Sequence, residues 1–220
     1  MACSTPKADV LSFAQQTCVN ARTGVTTSLG ALWASETPVV LVFLRRLGCQ
    51  LCRTYCVEVT EALPRLVATG ARVVCLSFEA LGEGSDKDRS FEKGGFWAGE
   101  LFTLDSSVYK ALFGRKGLFS GFFGLADISR TKLASCMEKN ISGNMQGDGM
   151  ALGGVFVVCS PTGEPPRVLL DHRQQFFGDD PDAEELLEAI ASAPPVSPPQ
   201  PVAGGGSGGG GAREVKEWGK

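Results

Sequence analysis

Three of the chain's eight cysteines stand at Cys49, Cys52 and Cys56, inside a single stretch of eight positions. Thiols at that density bind a metal, crosslink a fold or exchange electrons. The x-x spacing between Cys49 and Cys52 is about one helical turn, so one thiol can reach back to an oxidised partner. Arg45, Arg46 and Arg53 bring positive charge close to the pair, and a nearby cation favours thiolate, the reactive form of cysteine. A structural zinc site wants four ligands, usually from two such pairs. Here there is one pair and a single histidine, His172. An iron–sulfur reading lacks the fourth cysteine of the bacterial ferredoxin run. Redox exchange is favoured, with Cys49 as nucleophile and Cys52 as resolving thiol. Cys56, one further turn down the face of Cys52, reads as a core residue, as do the scattered cysteines. His172 reads as a surface residue at a strand end.

The elements around the pair sharpen this reading. Residues 37–45, "TPVVLVFLR", form a short Val-rich apolar run, the pattern of a buried central strand. Leu51, Tyr55, Val59, Ala62, Leu63, Leu66 and Val67 then recur at helical spacing, Gly70 supplies a cap, and residues 71–79 form a second apolar strand. Pro64 predicts a kink in the helix. Such a strand–helix–strand unit pairs its strands in parallel with a right-handed crossover. It puts Cys49 at the helix N-terminus, where free amides and the macrodipole favour a thiolate. Arg45, Arg46 and Arg53 are candidates to stabilise a thiolate or a developing oxyanion. Alternation predicts that Arg45 and Arg46 face opposite ways, so that at most one joins the site from the strand, the other reading being a solvated strand end.

Further along, residues 82–95 read as an exposed polar loop, and residues 99–105 as a strand ending at Asp105, the cap of a short helix. The aromatic, Gly-rich stretch from Gly117 to Asn140 reads as an irregular, partly helical insertion, and its residues 118–125 as core packing or a docking surface. Residues 153–159 and 167–173 predict an antiparallel hairpin. Asp180-Pro181-Asp182 then starts a last helix, with a cap, a first-turn proline and acids at the positive dipole end. A βαβ half, a β-hairpin and a final helix make the α/β layout of the thioredoxin fold: a central mixed sheet flanked by helices, with an insertion.

A chain of 220 residues can bury a sizeable core. The organisation expected is a tail over 1–8, one domain over 9–193 and a disordered Pro-, Gly- and Ser-rich tail over 194–220. A net charge of −3 with no basic block argues against a nucleic-acid partner. No stretch approaches the ~20 apolar residues of a transmembrane span, and the first residues lack the apolar core of a secretory signal. A cytosolic location is therefore expected, where thiols are kept reduced. The glycines of the C-terminal tail have no strand before them and no apolar helix after them, so no nucleotide loop is read there.

Four phrases carry a resemblance: "LRRLGCQLCR" (44–53), "FWAGELFTLDSSVYKALFG" (96–114), "NISGNMQGDGMALGGVFVV" (140–158) and "VLLDHRQQFFGDD" (168–180). In order and spacing the chain resembles the peroxiredoxin-like 2 family. That resemblance implies a thioredoxin-like fold and a cytosolic dithiol oxidoreductase whose redox cysteines map onto Cys49 and Cys52. It further implies reduction of a lipid endoperoxide such as prostaglandin H2, or its ethanolamide, to the F2α product. NADPH is the implied ultimate donor. No dinucleotide fingerprint lies between a strand and a helix, so NADPH is expected to act indirectly, through a thioredoxin-type partner, with no cofactor bound. An ordinary peroxiredoxin carries Pro and Thr where this chain has Val42 and Arg46, which disfavours hydrogen peroxide. Gln50-Leu51 between the cysteines, and Leu152-Gly153-Gly154 in place of a cis-proline, disfavour a general disulfide reductase. Phe96, Trp97, Phe119, Phe122 and Phe123 are candidates either for an apolar groove or for the core. A general thiol peroxidase and a non-enzymatic redox sensor or interaction module remain as alternatives.

Overall fold

A computed structural model describes residues 8–115 and 130–194. Its centre is one seven-stranded sheet in the order β2-β1-β5-β4-β3-β6-β7. The strands are β1 (Thr17–Asn20), β2 (Thr26–Ser28), β3 (Val39–Leu44), β4 (Arg72–Ser77), β5 (Glu100–Leu104), β6 (Gly154–Cys159) and β7 (Arg167–Arg173). The helices are α1 (Gln50–Ala68), α2 (Ser90–Lys93), α3 (Ser106–Phe113), α4 (Arg130–Glu138) and α5 (Ala183–Ala191).

All six residues of β3 are buried, because the strand has a neighbour on each edge and covered faces on both sides. It pairs parallel with β4, Val39 against Arg72 through Leu44 against Ser77, and antiparallel with β6. Helix α1 connects β3 to β4, burying Leu51, Cys52, Tyr55, Cys56, Val59, Ala62 and Leu66. Val67 lies on the opposite, exposed face. The helix continues through Pro64 and ends at Thr69, with Gly70 in the left-handed conformation at φ +86°. Lys139 pairs with Glu61 at 2.7 Å, Ser135 Oγ donates to Glu58 at 2.9 Å, and Lys132 also pairs with Glu58. These contacts strap α4 along α1.

Two expectations change, and one hairpin lies outside the sequence reading. The β1–β2 hairpin, too short and too polar to show an apolar period, extends the sheet beyond β5. The segment read as an exposed loop over 82–95 instead carries a 3₁₀ turn, Gly84–Asp86, and the helix α2. Ser85, Asp86 and Phe91 are buried in it. The polar groups turn inward because they have partners there: Asp86 Oδ1 accepts the Phe91 N–H at 2.8 Å and lies 3.9 Å from Arg53. Finally, the cap of α5 is Asp182, not Asp180; Asp182 takes the Glu184 and Glu185 amides, and the Glu185 carboxylate returns to the Asp182 N–H at 2.8 Å. That reciprocal box displaces the start by two residues and releases Asp180 from capping. The segment over 118–125, read as core packing or a docking surface, with Phe119, Phe122 and Phe123, and nearly all of both tails lie outside the described residues. Asp182→Ala removes the side-chain acceptor of the Glu184 and Glu185 amides and is expected to cost about 1 kcal/mol in denaturant unfolding.

Candidate active site

Strand β3 ends at Leu44, and the chain turns through Arg45-Arg46-Leu47-Gly48 before Cys49 caps α1. Two loops grip this turn. From the β4 side, Glu79 Oε2 accepts the Leu47 N–H at 2.9 Å, and Ser85 Oγ accepts the Gly48 N–H at 2.7 Å. Ser85 then donates to Glu79 and completes a buried bracket. From the stretch before β6, the Asn144 N–H donates to the Gly48 carbonyl at 2.8 Å, and Gln50 Nε2 to the Ile141 carbonyl at 2.7 Å. Packing is tight enough that a Cβ on Gly48 would sit 2.5 Å from the Ser85 carbonyl oxygen, and one on Gly143 2.5 Å from the Gln50 nitrogen. Glycine is required at both positions by this close approach.

Cys49 and Cys52 are both buried, at 3 % and 5 % exposure. Arg45 Nη2 donates to the Cys49 sulfur at 2.7 Å and Nη1 to the Gly149 carbonyl at 3.1 Å, while the guanidinium stacks 4.2 Å from the Phe177 ring centre. The Cys49 thiol is held well below its ordinary pKa, first by the Cys52 thiol donating to it, and then by the Arg45 charge; burial opposes both. Cys52 shifts the other way, its proton retained by that same hydrogen bond and by burial. The pair is therefore one thiolate and one thiol, with the thiolate on Cys49. Helix amides contribute less than the position suggests. The sulfur makes no regular cap hydrogen bond, and the Cys52 N–H ranks behind the Cys52 thiol and Arg45.

Both Arg45 and Arg46 point into the site, contrary to the alternation argument. They lie beyond the end of β3, where the period of two no longer applies, and neither is a solvated strand end. Arg46 donates to the Gln146 carbonyl and, at 3.2 Å, to the Asn144 carbonyl. Arg53 acts as a brace: Nε donates to the Leu47 carbonyl at 2.8 Å and Nη1 to the Ser142 carbonyl at 3.0 Å. Phe96 stacks 4.9 Å from the Arg53 guanidinium, and Trp97 is buried with its indole N–H on the Glu100 carbonyl at 2.9 Å. Neither lines the cleft. Cys56 is fully buried, and its thiol is pushed up by burial and by Cys75. His172 is half-buried, with Nε2 3.0 Å from the Asp179 carbonyl oxygen. Among the described residues no group of three or more His, Cys, Asp or Glu side chains is placed to hold a metal.

Above Cys49 opens a cleft of about 370 Å³. Arg45, Arg46 and Cys49 line it together with the apolar side chains of Leu51, Leu133, Met145 and Phe177. The arrangement offers a nucleophilic sulfur, a cation beside it and a protonated second thiol within hydrogen-bond reach. The sequence reading missed Glu79, Ser85 and Asp180. Asp180 sits at the end of the phrase 168–180, accepts from Gln174 Nε2 at 2.7 Å, and has its pKa pushed up by burial to about 6. Two outcomes follow. Arg45→Met raises the Cys49 pKa, which the pH dependence of alkylation by iodoacetamide will report as a shift to higher pH. Asp180→Asn stabilises the fold at neutral pH, by up to about 3 kcal/mol. The folded pKa of Asp180 lies above its ordinary 3.8, so the ionised carboxylate is a cost that is absent below about pH 4 and complete above about pH 6. Denaturant unfolding across that range checks it, because the gain must vanish on acidification.

Residues 58–175 match the family described as AhpC/TSA antioxidant enzyme, a match that begins C-terminal to both Cys49 and Cys52. A prostamide/prostaglandin F synthase of Danio rerio is 34 % identical over 173 residues, covering 78 % of this chain and 82 % of that protein. Peroxiredoxin-like 2A of Bos taurus is 30 % identical over 165 residues, covering 75 % of this chain and 71 % of the relative. Among solved structures, peroxiredoxin Q of Xanthomonas campestris superposes with a TM-score of 0.52 at 14 % identity, covering 83 % of this chain and 94 % of that one. At that identity the likeness speaks for the fold alone, a thioredoxin-like one built on the same mixed sheet. Taken with the sheet order and the two curated relatives, these matches make the chain an oxidoreductase belonging to the AhpC/TSA antioxidant enzyme family, in its peroxiredoxin-like 2 group.

Proposed function

We propose that the chain reduces a lipid endoperoxide, of the kind represented by prostaglandin H2 or its ethanolamide, through a Cys49–Cys52 dithiol. The observation that carries this reading is the Cys49 sulfur beside Arg45 at the base of the cleft, with the Cys52 thiol donating to it. The Cys49 thiolate attacks one oxygen of the O–O bond, and the other oxygen leaves as an alkoxide that takes a proton from water. Cys52 then attacks the Cys49 sulfur, releasing the second oxygen as an alcohol and leaving a disulfide. Two electrons pass from the dithiol to the substrate, which gains two hydroxyl groups. The Arg45 hydrogen bond to the sulfur supports a role for Arg45 in steadying the negative charge that develops, with Arg46 adding to the field.

A larger substrate than hydrogen peroxide is supported by the cleft. Its 370 Å³ far exceeds the ~30 Å³ that a single water occupies, and Leu51, Leu133, Met145 and Phe177 present apolar surface. The names of curated relatives, prostamide/prostaglandin F synthase among them, favour an endoperoxide within that class. Reduction of the disulfide is assigned to a thioredoxin-type partner that draws on NADPH, and the setting to the cytosol. Among the described residues no helix is long and apolar enough to cross a membrane.

The test is a panel of prostaglandin H2, cumene hydroperoxide and hydrogen peroxide, with mass spectrometry following the 49–52 disulfide. Prostaglandin H2 is expected to oxidise the pair fastest; an equal or greater rate with hydrogen peroxide makes the chain a general thiol peroxidase instead. Cys49→Ser is expected to reduce turnover to background, and Cys52→Ser to stop at the oxygen adduct on Cys49. Full turnover by Cys49→Ser would remove it as the nucleophile.

A further inference from the structure

Six large apolar side chains are exposed among the described residues, and two of them, Met145 at 85 % and Leu133 at 43 %, line the Cys49 cleft. A lone exposed apolar side chain is ordinary on a protein surface. These two share a cleft with the Cys49 sulfur, and Met145 is the most exposed of the six. Leu51 and Phe177 line the same cleft but are buried. The apolar area still open for a ligand to cover therefore belongs mainly to Met145 and Leu133.

The chain on either side of Met145 is held firmly. Arg46 donates to the Asn144 carbonyl at 3.2 Å and to the Gln146 carbonyl, so one guanidinium spans Met145. Asn144 supplies the rest of the bracket. Its N–H donates to the Gly48 carbonyl at 2.8 Å, its Nδ2 to the Ser85 carbonyl at 2.9 Å, and its Oδ1 accepts the Gln146 N–H at 3.0 Å. Leu133 is carried by α4, which is tied to α1 through Ser135 on Glu58 at 2.9 Å and through Thr54 Oγ1 and Cys136 Sγ, 3.0 Å apart. Backbone fixed in advance lowers the ordering cost of binding. The side chain it presents at position 145 is unbranched and polarisable, able to follow an apolar surface of varied shape.

We infer that Met145, assisted by Leu133, is the side chain that selects the hydrocarbon portion of an organic peroxide, and that the bracket of Arg46 and Asn144 positions it. This rests on the dithiol peroxide reading proposed above and deepens it, placing discrimination against hydrogen peroxide on two named side chains. A peroxide whose O–O bond lies at Cys49 must lay its carbon skeleton in the remaining cleft, where it covers the open apolar area. Hydrogen peroxide has no carbon skeleton and gains nothing there. Arg46 thus has a part separate from its charge: its fork holds the two carbonyls that flank Met145. The gain is made on binding and kept in the transition state, so it falls on KM rather than on kcat.

The test takes the ratio of kcat/KM for cumene hydroperoxide to that for hydrogen peroxide, with the full chain and dithiothreitol as reductant. The parent is expected to show a ratio above one. Met145→Gln keeps the length of the side chain and removes its apolar character; it is expected to lower the ratio about 5-fold, through KM for cumene hydroperoxide. Leu133→Gln is expected to lower it by a smaller factor, and Met145→Leu to keep it. Arg46→Lys retains the charge but cannot span two carbonyls, and is expected to lower the ratio as well. Should that variant fail to fold, Asn144→Ala loosens the same bracket and is expected to do likewise. Met137→Gln is the control, on α4 and 74 % exposed but outside the cleft lining, and is expected to keep the parental ratio. A parental ratio in Met145→Gln, or an equal fall in Met137→Gln, overturns the inference and leaves the dithiol chemistry intact. A parental ratio in the bracket variant overturns the positioning role. If the parent itself does not favour cumene hydroperoxide, the reading of a large substrate falls and this inference falls with it.

Discussion

A guanidinium and a sulfur 2.7 Å apart hold the site together. Neither group tolerates burial alone: a lone buried cation loses its hydration, and a lone buried thiol keeps its proton. Together they form a charge pair, and the surrounding loops can be understood as the means of keeping it buried and aligned. The other acceptors for Arg45 and Arg46 are main-chain carbonyls of Gly149, Gln146 and Asn144. Arg53 likewise leans on the Leu47 and Ser142 carbonyls, with Asp86 further away at 3.9 Å. Carbonyls accept from the Nη groups of Arg45 and Arg46 without cancelling the charge, while the Nε of each is buried without a partner among the described residues. Positive potential is thereby left for the sulfur.

The thiolate therefore owes its position to two loops distant in sequence as much as to the helix beneath it. Glu79 and Ser85 fix the amides of Leu47 and Gly48 from one side, and Asn144 fixes the Gly48 carbonyl from the other. With both carbonyl and amide of Gly48 occupied, the turn has little freedom to move Cys49 away from Arg45. The cleft inherits its shape from the same loops, since Gly143, Asn144, Met145 and Gly149 form one wall.

How much of this was legible in the sequence depends on range. The strand–helix–strand unit could be read because β3 and β4 are continuous apolar runs and α1 repeats its buried face every turn. Cys49 could be placed at the start of α1 because that boundary is local. Asp105 could be read as a cap for the same reason, and it accepts the Ser107 N–H at 2.8 Å. The orientations of Arg45 and Arg46 could not be read, because periodicity ends with the strand and their partners lie about a hundred residues downstream. Ser85 and Asp86 looked like solvent-facing loop residues, since a polar side chain does not announce a buried backbone partner. Asp180 was read as a cap because Asp-Pro-Asp fits a helix start in either frame, and only the reciprocal bond from Glu185 decides between them.

The carbonyl-lined surroundings of Arg45 bear on the relative stability of the two redox forms. While Cys49 is a thiolate it serves as counterion to a cation that no carboxylate among the described residues directly contacts. A disulfide sulfur is neutral, so oxidation leaves that cation with a carbonyl dipole, the Phe177 ring and the longer-range charge of Asp180. On the dithiol reading proposed above, this favours the reduced pair, and a Cys49–Cys52 disulfide would yield readily to an incoming donor.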